Sequence, residues 1–321
     1  MNIYDFDKTI HDGDSTAAFI WYCVKHYPRT IVTLIPTAWS FLLYMFGIYT
    51  KTQFKEKMYR FLRYIPDIDN ALEDFWDKNE CNILDYYKSQ QSDDDIIISA
   101  SPEFLLEPIC KRLGIKHMIA SRVDKKTGKY TGENCWGEEK VVRLLDTYGI
   151  SSCDKFYSDS FSDSPLAEIA DEAFIVSRNI LTPWNEYQPT SKERLKKTFL
   201  SKEFMIFIAV GVICTLANVL FSQMYRTFIP NNTLAFLPGY VTSNILSYVL
   251  NSFVTFKERL SLARFWKYFI SYIPNFIIQT IIVFCYSLIL PSSPSIFAYI
   301  TAAVIGVPIT YIIMKLFTFK K

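Results

Sequence analysis

The sequence predicts an α/β domain on a mainly parallel sheet, followed by an all-α membrane domain of four helices. Three observations carry this. Half of the 321 residues are hydrophobic and 17% are aromatic, too apolar for an ordinary soluble pair of domains. The apolar excess is uneven: from about Lys202 four long apolar runs follow one another, whereas residues 50 to 200 are mixed in charge. Between residues 93 and 182, short apolar runs alternate with amphipathic ones, the pattern of strands crossing over through helices.

The elements follow in order. "YDFDKT" (residues 4–9) reads as one short strand with Asp5 and Asp7 at its carboxyl end. Alternation along a strand puts residues 5 and 7 on one side, and open α/β sheets bind ligands at that end. Apolar "IIISAS" (96–101) is a buried strand running into an amphipathic helix closed by Gly114. A Thr127-Gly128 turn separates two extended stretches, and a helix runs from about Glu138 to Tyr148. "DKFYSDS" and "EAFIVS" are two more strands with the short helix "PLAEIAD" between them. The first domain thus covers 1–182, with about 15–90 lying between its first two strands, and a polar, then basic, linker covers 183–203.

Residues 15–90 contain "IVTLIPTAWSFLLYMFGIY" (31–49), uncharged and flanked by Lys25, Arg29, Lys51, Lys55 and Lys57. A single crossing would part Asp5 and Asp7 from the later residues by a bilayer. Pro36 and the aromatics after it suggest a broken helix pair lying in the interface or dipping in and out; a buried core helix is the alternative.

From 204 to 321, apolar runs at roughly 204–225, 234–256, 267–290 and 296–318 are each long enough to cross about 30 Å of hydrocarbon. Lys192, Arg194, Lys196, Lys197 and Lys202 precede the first; Lys257, Arg259, Arg264 and Lys267 lie between the second and third; Lys320 and Lys321 end the chain. The opposite loops offer only Arg226, so the positive-inside rule places the first domain and both termini in the cytoplasm, at the cytoplasmic membrane. No signal-peptide pattern precedes Asp5 and Asp7. "SYVLNSFVTFK" (247–257) and "TYIIMKLFTFK" (310–320) align without gaps, the mark of a duplicated two-helix hairpin. A net charge of +2 gives no reason for a nucleic-acid partner, and seven cysteines without a CxxC fit a reduced compartment.

Ser99 ends the "IIIS" strand, Lys140 opens "GEEKVVRL", and "YSDSFSDS" supplies Asp159 and Asp163. With "DFDKT", these segments in this order resemble the haloacid dehalogenase (HAD) superfamily of phosphatases, in the branch containing phosphoserine phosphatase and a phosphatidylglycerophosphate phosphatase. The resemblance covers roughly residues 1–180 and implies a Rossmann-like domain with a helical, membrane-associated cap. It implies Asp5 as the nucleophile that forms an aspartyl-phosphate and Asp7 as general acid and then base. Mg²⁺ would be held by Asp5, the Asp7 backbone carbonyl and Asp159. Ser99 and Lys140 would contact phosphoryl oxygens, with Ser101, Ser160 and Asp163 nearby. Asp163 would orient Lys140 or a metal-bound water; Asp163 and Ser101 have a helix-capping role as the alternative. His11 and His26 read as surface or interface histidines, and Thr9 as structural. Lys8 stands where many members have Gly.

The last domain resembles the GtrA-like family, associated with translocating polyprenyl-phosphate-linked sugars. The residues that carry it are "FIAVGVICTLANVLF" with Asn218 and "SYVLNSFVTFK" with Asn251. Each Asn is a candidate contact either between helices or with a lipid head group. The expected function is hydrolysis of a phosphate monoester on a membrane lipid, either a polyprenyl-linked phosphosugar or a glycerophospholipid phosphate. The alternatives are a membrane-anchored phosphatase of a soluble substrate such as phosphoserine, and a lipid transporter with a regulatory HAD domain. A homodimer through the small membrane bundle is a further expectation.

Overall fold

A computed structural model describes residues 1–229, 232–289 and 295–320. The chain divides into two compact units, Met1–Gln188 and Pro189–Lys321.

The first unit is built on a six-stranded sheet in the order β3-β2-β1-β4-β5-β6. Its strands are β1 Asn2–Tyr4, β2 Ile96–Pro102, β3 His117–Ser121, β4 Cys153–Ser158, β5 Ala170–Ser177 and β6 Ile180–Pro183. All neighbours are parallel except β5 and β6. Alternate side chains divide between two cores, as the strand period demands. Ile3, Ile96, Ile98 and Phe156 face one side, while Tyr4, Ile97 and Tyr157 face the other. Both layers are buried, so β1 and β2 read as continuous apolar runs.

The insertion between β1 and β2 is helical throughout: α1 Ser15–His26, α2 Leu34–Met45, α3 Lys51–Met58, α4 Ile68–Asn79 and α5 Asp85–Gln90, with short 3₁₀ turns between. Local chemistry starts three of them. Asp14 caps α1 through the Ala17 amide at 2.9 Å, Thr50 and Gln53 form a capping box on α3, and Asp67 caps α4. Pro36 does not break the apolar segment as expected. It sits in the first turn of α2, where its missing N–H costs nothing, and the change from 3₁₀ to α helix comes before it, at Thr33–Leu34. With 12 residues, α2 is about 18 Å long and too short to span a bilayer. Nor is it a buried core helix, because Ile35 is 81% exposed and Trp39 63%.

The rest of the first unit comprises α6 Glu103–Arg112, α7 Glu138–Tyr148 and α8 Ser164–Ala167. The last is shorter than "PLAEIAD", since β5 already begins at Ala170. Trp76 of α4, fully buried, donates its indole N–H to the Leu105 carbonyl at 2.7 Å. Arg112 of α6 meets Asp77 at 2.8 Å and Glu80 at 3.1 Å, and also pairs with Glu73. These contacts tie α4 of the insertion to the sheet domain. So does Gly128 (φ +73°), where an added Cβ would lie 2.5 Å from the Tyr59 carbonyl oxygen. Gly128→Ala combines a left-handed backbone with a backbone clash, and is expected to cost about 2–4 kcal/mol, read as a drop in Tm.

Residues 184–187, read from sequence as linker, belong to the first unit: Trp184 packs edge-on to Phe161 at 5.2 Å, and Tyr187 lies 5.8 Å from the same ring. The basic stretch beyond forms the short helix α9 Ser191–Phe199.

In the second unit, helices occupy all four apolar runs: α10 Lys202–Arg226, α11 Asn232–Leu250, α12 Leu262–Ile289 and α13 Ser295–Ile313. By length and apolarity alone, among the described residues, α10 is the helix that qualifies to cross a membrane, with a mean hydropathy of 2.5. The expected end of the third run at 290, the turn after it and Lys321 lie outside the described residues. The two echoing segments share one irregularity. α11 ends in a π-helical turn, Asn251–Thr255, and α13 in another, Met314–Thr318. These fall at matching positions of the alignment, and the Phe that follows each stacks on the other, Phe256 on Phe319 at 4.2 Å. A shared local distortion of this kind fits two copies of one hairpin.

Candidate active site

β1 is flanked by β2 on one side and β4 on the other, so the chain reverses its direction of travel across the sheet between β1 and β4. Such a switch point opens a crevice at the carboxyl ends of the strands, and there a cavity of about 410 Å³ lies. It is lined by Asp5 and Asp7 after β1, Ser99 and Ser101 of β2, Lys140 of α7, and Asp159, Ser160 and Asp163 after β4. All eight residues expected from the sequence at the catalytic site are therefore brought together.

Asp5 and Asp7 flank the fully buried Phe6, which packs edge-on to Trp76 at 6.0 Å. β1 itself ends at Tyr4, but the Asp5 amide still bonds the Tyr157 carbonyl at 2.9 Å. The chain stays extended far enough for the alternation argument to hold. Lys8, at φ +58°, then turns the chain in the left-handed region that favours Gly. Its ammonium lies 3.5 Å from Asp159.

Lys140 is 1% exposed and donates to Asp5 Oδ1 and Asp163 Oδ2, each at 2.8 Å. It stands in the first turn of α7, where a cation opposes the helix dipole. Burial pulls its ammonium down, but Asp5 and Asp163 outweigh it and hold the lysine charged. Asp163 also accepts from Ser158 at 2.8 Å. Burial pushes Asp5 up to about 7, with Asp163 and Asp159 adding to the rise against the pull of Lys140.

Asp7 is fixed by the Ser15 amide at 2.7 Å and by the Ser101 hydroxyl, which is linked in turn to Thr16 at 2.9 Å. Burial, then Asp14, raises its carboxyl above the ordinary value despite these bonds. Asp159 is also raised by burial. Ser101 therefore positions Asp7 and does not cap α6, whose N-cap is Pro102. The Ser99 hydroxyl accepts from the Ser101 amide at 3.1 Å, and Ser160 caps the turn that carries Asp163, accepting from Ser162.

Among the described residues, no three His, Cys, Asp or Glu side chains converge on one metal position. The donors offered by Asp5, Asp159 and the Asp7 carbonyl are two carboxylates and one carbonyl, a hard-oxygen set that Mg²⁺ accepts with waters completing its octahedron. Burial is the first cause of the rise at Asp5, Asp7 and Asp159, a cost that a cation bound among them would offset. The residues fit such a cation.

Two cap residues escaped the sequence reading. Lys51 and Lys55 of α3 line the same cavity. Lys55 donates to the Ala100 carbonyl and to Asn134 Oδ1, both at 2.8 Å, and Lys51 stands 3.7 Å over the Trp136 ring. Burial lowers both to about 8, aided for Lys51 by its neighbour Lys55 and opposed for Lys55 by Asp7. In the sequence they stand as a basic flank of the apolar segment, and their i,i+4 spacing is the available signal. His11 is not a surface residue. It is 2% exposed, stacked on Phe6 and edge-on to Trp76. His26 stacks on Tyr22 at 4.1 Å.

The family model for haloacid dehalogenase-like hydrolases matches residues 3–168, just over half of the chain. The chain is a haloacid dehalogenase-like hydrolase. Residues 206–319 of this hydrolase match the GtrA/DPMS transmembrane domain. It is 36% identical over 92 residues to a probable phosphatase of Mycobacterium tuberculosis, covering 26% of this chain and 32% of that one. It is 30% identical over 117 residues to a histidinol-phosphatase of Neisseria meningitidis, covering 32% and 49%. The hydrolase thus spans between a third and a half of these relatives. A solved structure from Bordetella pertussis aligns at 22% identity with a TM-score of 0.44, over 54% of this chain and 87% of that one.

In the second unit, Asn218 lines a cavity of about 490 Å³ with Asn244, Ser243 and Tyr240. Asn251 does not. It is 1% exposed and bonded to the Ser247 carbonyl at 3.0 Å, Tyr268 at 3.2 Å and Thr255 at 2.9 Å, so it joins helices within the bundle.

Proposed function

We propose that this hydrolase is a Mg²⁺-dependent phosphatase acting on a phosphate monoester of a membrane lipid, either a polyprenyl-linked phosphosugar or a glycerophospholipid phosphate. The observation that carries the reading is the pair Asp5 and Asp7 facing one cavity, with Lys140 bridging Asp5 to Asp163. The names of the two relatives support phosphate hydrolysis as the class of reaction.

A carboxylate oxygen of Asp5 attacks phosphorus, and the bond to the leaving oxygen breaks. Asp7, whose carboxyl burial raises above its ordinary value, gives a proton to the departing alkoxide. A water then attacks the aspartyl-phosphate and yields its proton to Asp7, releasing phosphate and restoring Asp5. Lys140 and Ser99 bind the phosphoryl oxygens, with Lys140 offsetting the charge gathered there. Asp5, Asp159 and the Asp7 carbonyl would hold Mg²⁺, which supplies positive charge to the phosphoryl group. Asp163 and Ser158 keep Lys140 aimed.

Two features support a lipid substrate. Ile31, Val32, Ile35, Trp39 and Ile48 form an apolar, exposed stretch of the cap, larger in kind than the scattered apolar residues of a soluble surface. The inner face of the same helix packs on the cavity through Phe41 and Tyr44 against Phe54, at 5.5 and 5.6 Å. A cap resting on the leaflet with its apolar face presents the cavity to a head group. The membrane unit then holds the hydrolase at the bilayer, with basic segments on the catalytic side, and its Asn218 cavity is the place to look for lipid handling.

The test is phosphate release by the detergent-purified full chain on lipid monoester phosphates and on phosphoserine side by side. Release from the lipids that stops in EDTA and returns with Mg²⁺ is the expected result. Equal turnover of phosphoserine reduces the membrane unit to an anchor, and release from none overturns the reading.

A further inference from the structure

We propose that the cap carries an anion subsite centred on Lys51, which selects substrates whose leaving alcohol bears a second acidic group, a carboxylate or a phosphodiester. The proposal rests on the phosphatase reading and narrows its substrate class.

Four lysines line the catalytic cavity, and they differ in their partners. Lys140 is matched by Asp5 and Asp163, and Lys8 by Asp159. Lys51 and Lys55 have no carboxylate within 4 Å among the described residues. Lys55 is held by two neutral acceptors, whereas Lys51, among the described residues, meets the face of Trp136. Both project from one face of α3, one turn apart, so their charges repel each other in a partly desolvated place. Two adjacent, half-buried cations with no carboxylate in contact, which Asp163 and Asp7 reach only at longer range, are costly, and an anion reaching that face relieves the cost.

The scissile phosphate already meets Lys140, Ser99 and the cation site on the sheet side of the cavity. The cap lysines are left for charge beyond it, on the leaving group. Ile20, Phe54 and Met58 form the apolar wall of the same cavity, so the subsite pairs a second anion with adjoining hydrocarbon. Such a site rejects an uncharged leaving group by leaving its own cations unpaired.

The experiment compares soluble probes that differ only in the leaving alcohol. These are glycerol 3-phosphate, 3-phosphoglycerate, and glycerol 3-phosphate carrying a methyl phosphodiester on its 1-hydroxyl, each with the full chain in detergent and Mg²⁺. The wild type is expected to favour at least one anionic probe by about tenfold or more in kcat/KM, mainly through KM. Lys51→Gln is expected to erase that preference and Lys51→Arg to keep it, which separates a charge effect from misfolding. The carboxylate and diester arms tell which anion fits. Equal turnover of all probes by the wild type overturns the subsite alone. So does Lys51→Gln lowering every probe alike, because Lys51 would then serve the scissile phosphate. A lipid monoester phosphate is run alongside: release from it but from no soluble probe overturns the subsite alone, and release from neither overturns the phosphatase reading and the subsite with it.

Discussion

Asp5→Asn is expected to lower phosphate release by about 10⁴-fold or more while the protein keeps its fold. The amide has nearly the shape of the carboxylate but no nucleophilic anion, and no other carboxylate touches Lys140 from the β1 side. Without the nucleophile the two-step path through an aspartyl-phosphate is closed, leaving only what binding and electrostatics supply. Stability should change by about 1 kcal/mol or less, for opposing reasons. The buried Asp5 carboxylate is disfavoured where it stands, as its rise to about 7 shows, so a neutral amide removes that cost. Against this, Lys140 loses one of two carboxylate partners but keeps Asp163. Phosphate release and a thermal melt on the same preparation check both halves. Activity within tenfold of wild type would remove Asp5 from the nucleophile's role.

The candidate site is legible in the sequence partly through local rules and partly through the family resemblance. Strand alternation pairs Asp5 with Asp7 around Phe6, and the switch point collects whatever follows β1, β2 and β4. Ser99, Lys140, Asp159 and Asp163 are legible only through the family resemblance, since nothing local marks a lysine in the first turn of a helix as one buried between two carboxylates. What stayed hidden depends on contacts distant in sequence. Nothing in "PWNEY" tells that Trp184 and Tyr187 pack around Phe161, so the linker was started too early. β6 is a short antiparallel edge of partly exposed residues, with no alternation to read. His11 was misplaced because its burial comes from Trp76, far along the chain in α4. Lys51 and Lys55 were seen as the margin of an apolar segment, since only the folded cap turns α3 over the strand ends. The membrane unit shows the same division. The repeated "FVTFK" and "LFTFK" segments announced a duplication, but the π-turns they share are set by packing of the second unit.

Lys140→Met is expected to destabilise the protein by about 3–5 kcal/mol at pH 8 in the absence of divalent cations, and by much less at pH 5. Removing the ammonium leaves Asp5 and Asp163 buried against each other, with Ser158 the remaining donor to Asp163. Asp5 already stands at about 7 with Lys140 in place, against an ordinary value of 3.8. Losing the lysine moves it further up. Between pH 3.8 and the raised folded value, the native state holds a proton that the unfolded chain has released, so stability falls as pH rises through that window. Wild-type protein has the compensating term: Lys140, raised in the folded state, contributes stability that is fully present below its ordinary value and is lost only in strong alkali. The gap between wild type and variant therefore widens from pH 5 to pH 8, read as Tm in EDTA at each pH. Mg²⁺ should narrow the gap by supplying the charge that the lysine no longer does. A difference in Tm that stays constant with pH would mean that Lys140 acts through packing and not as the counter-ion of Asp5.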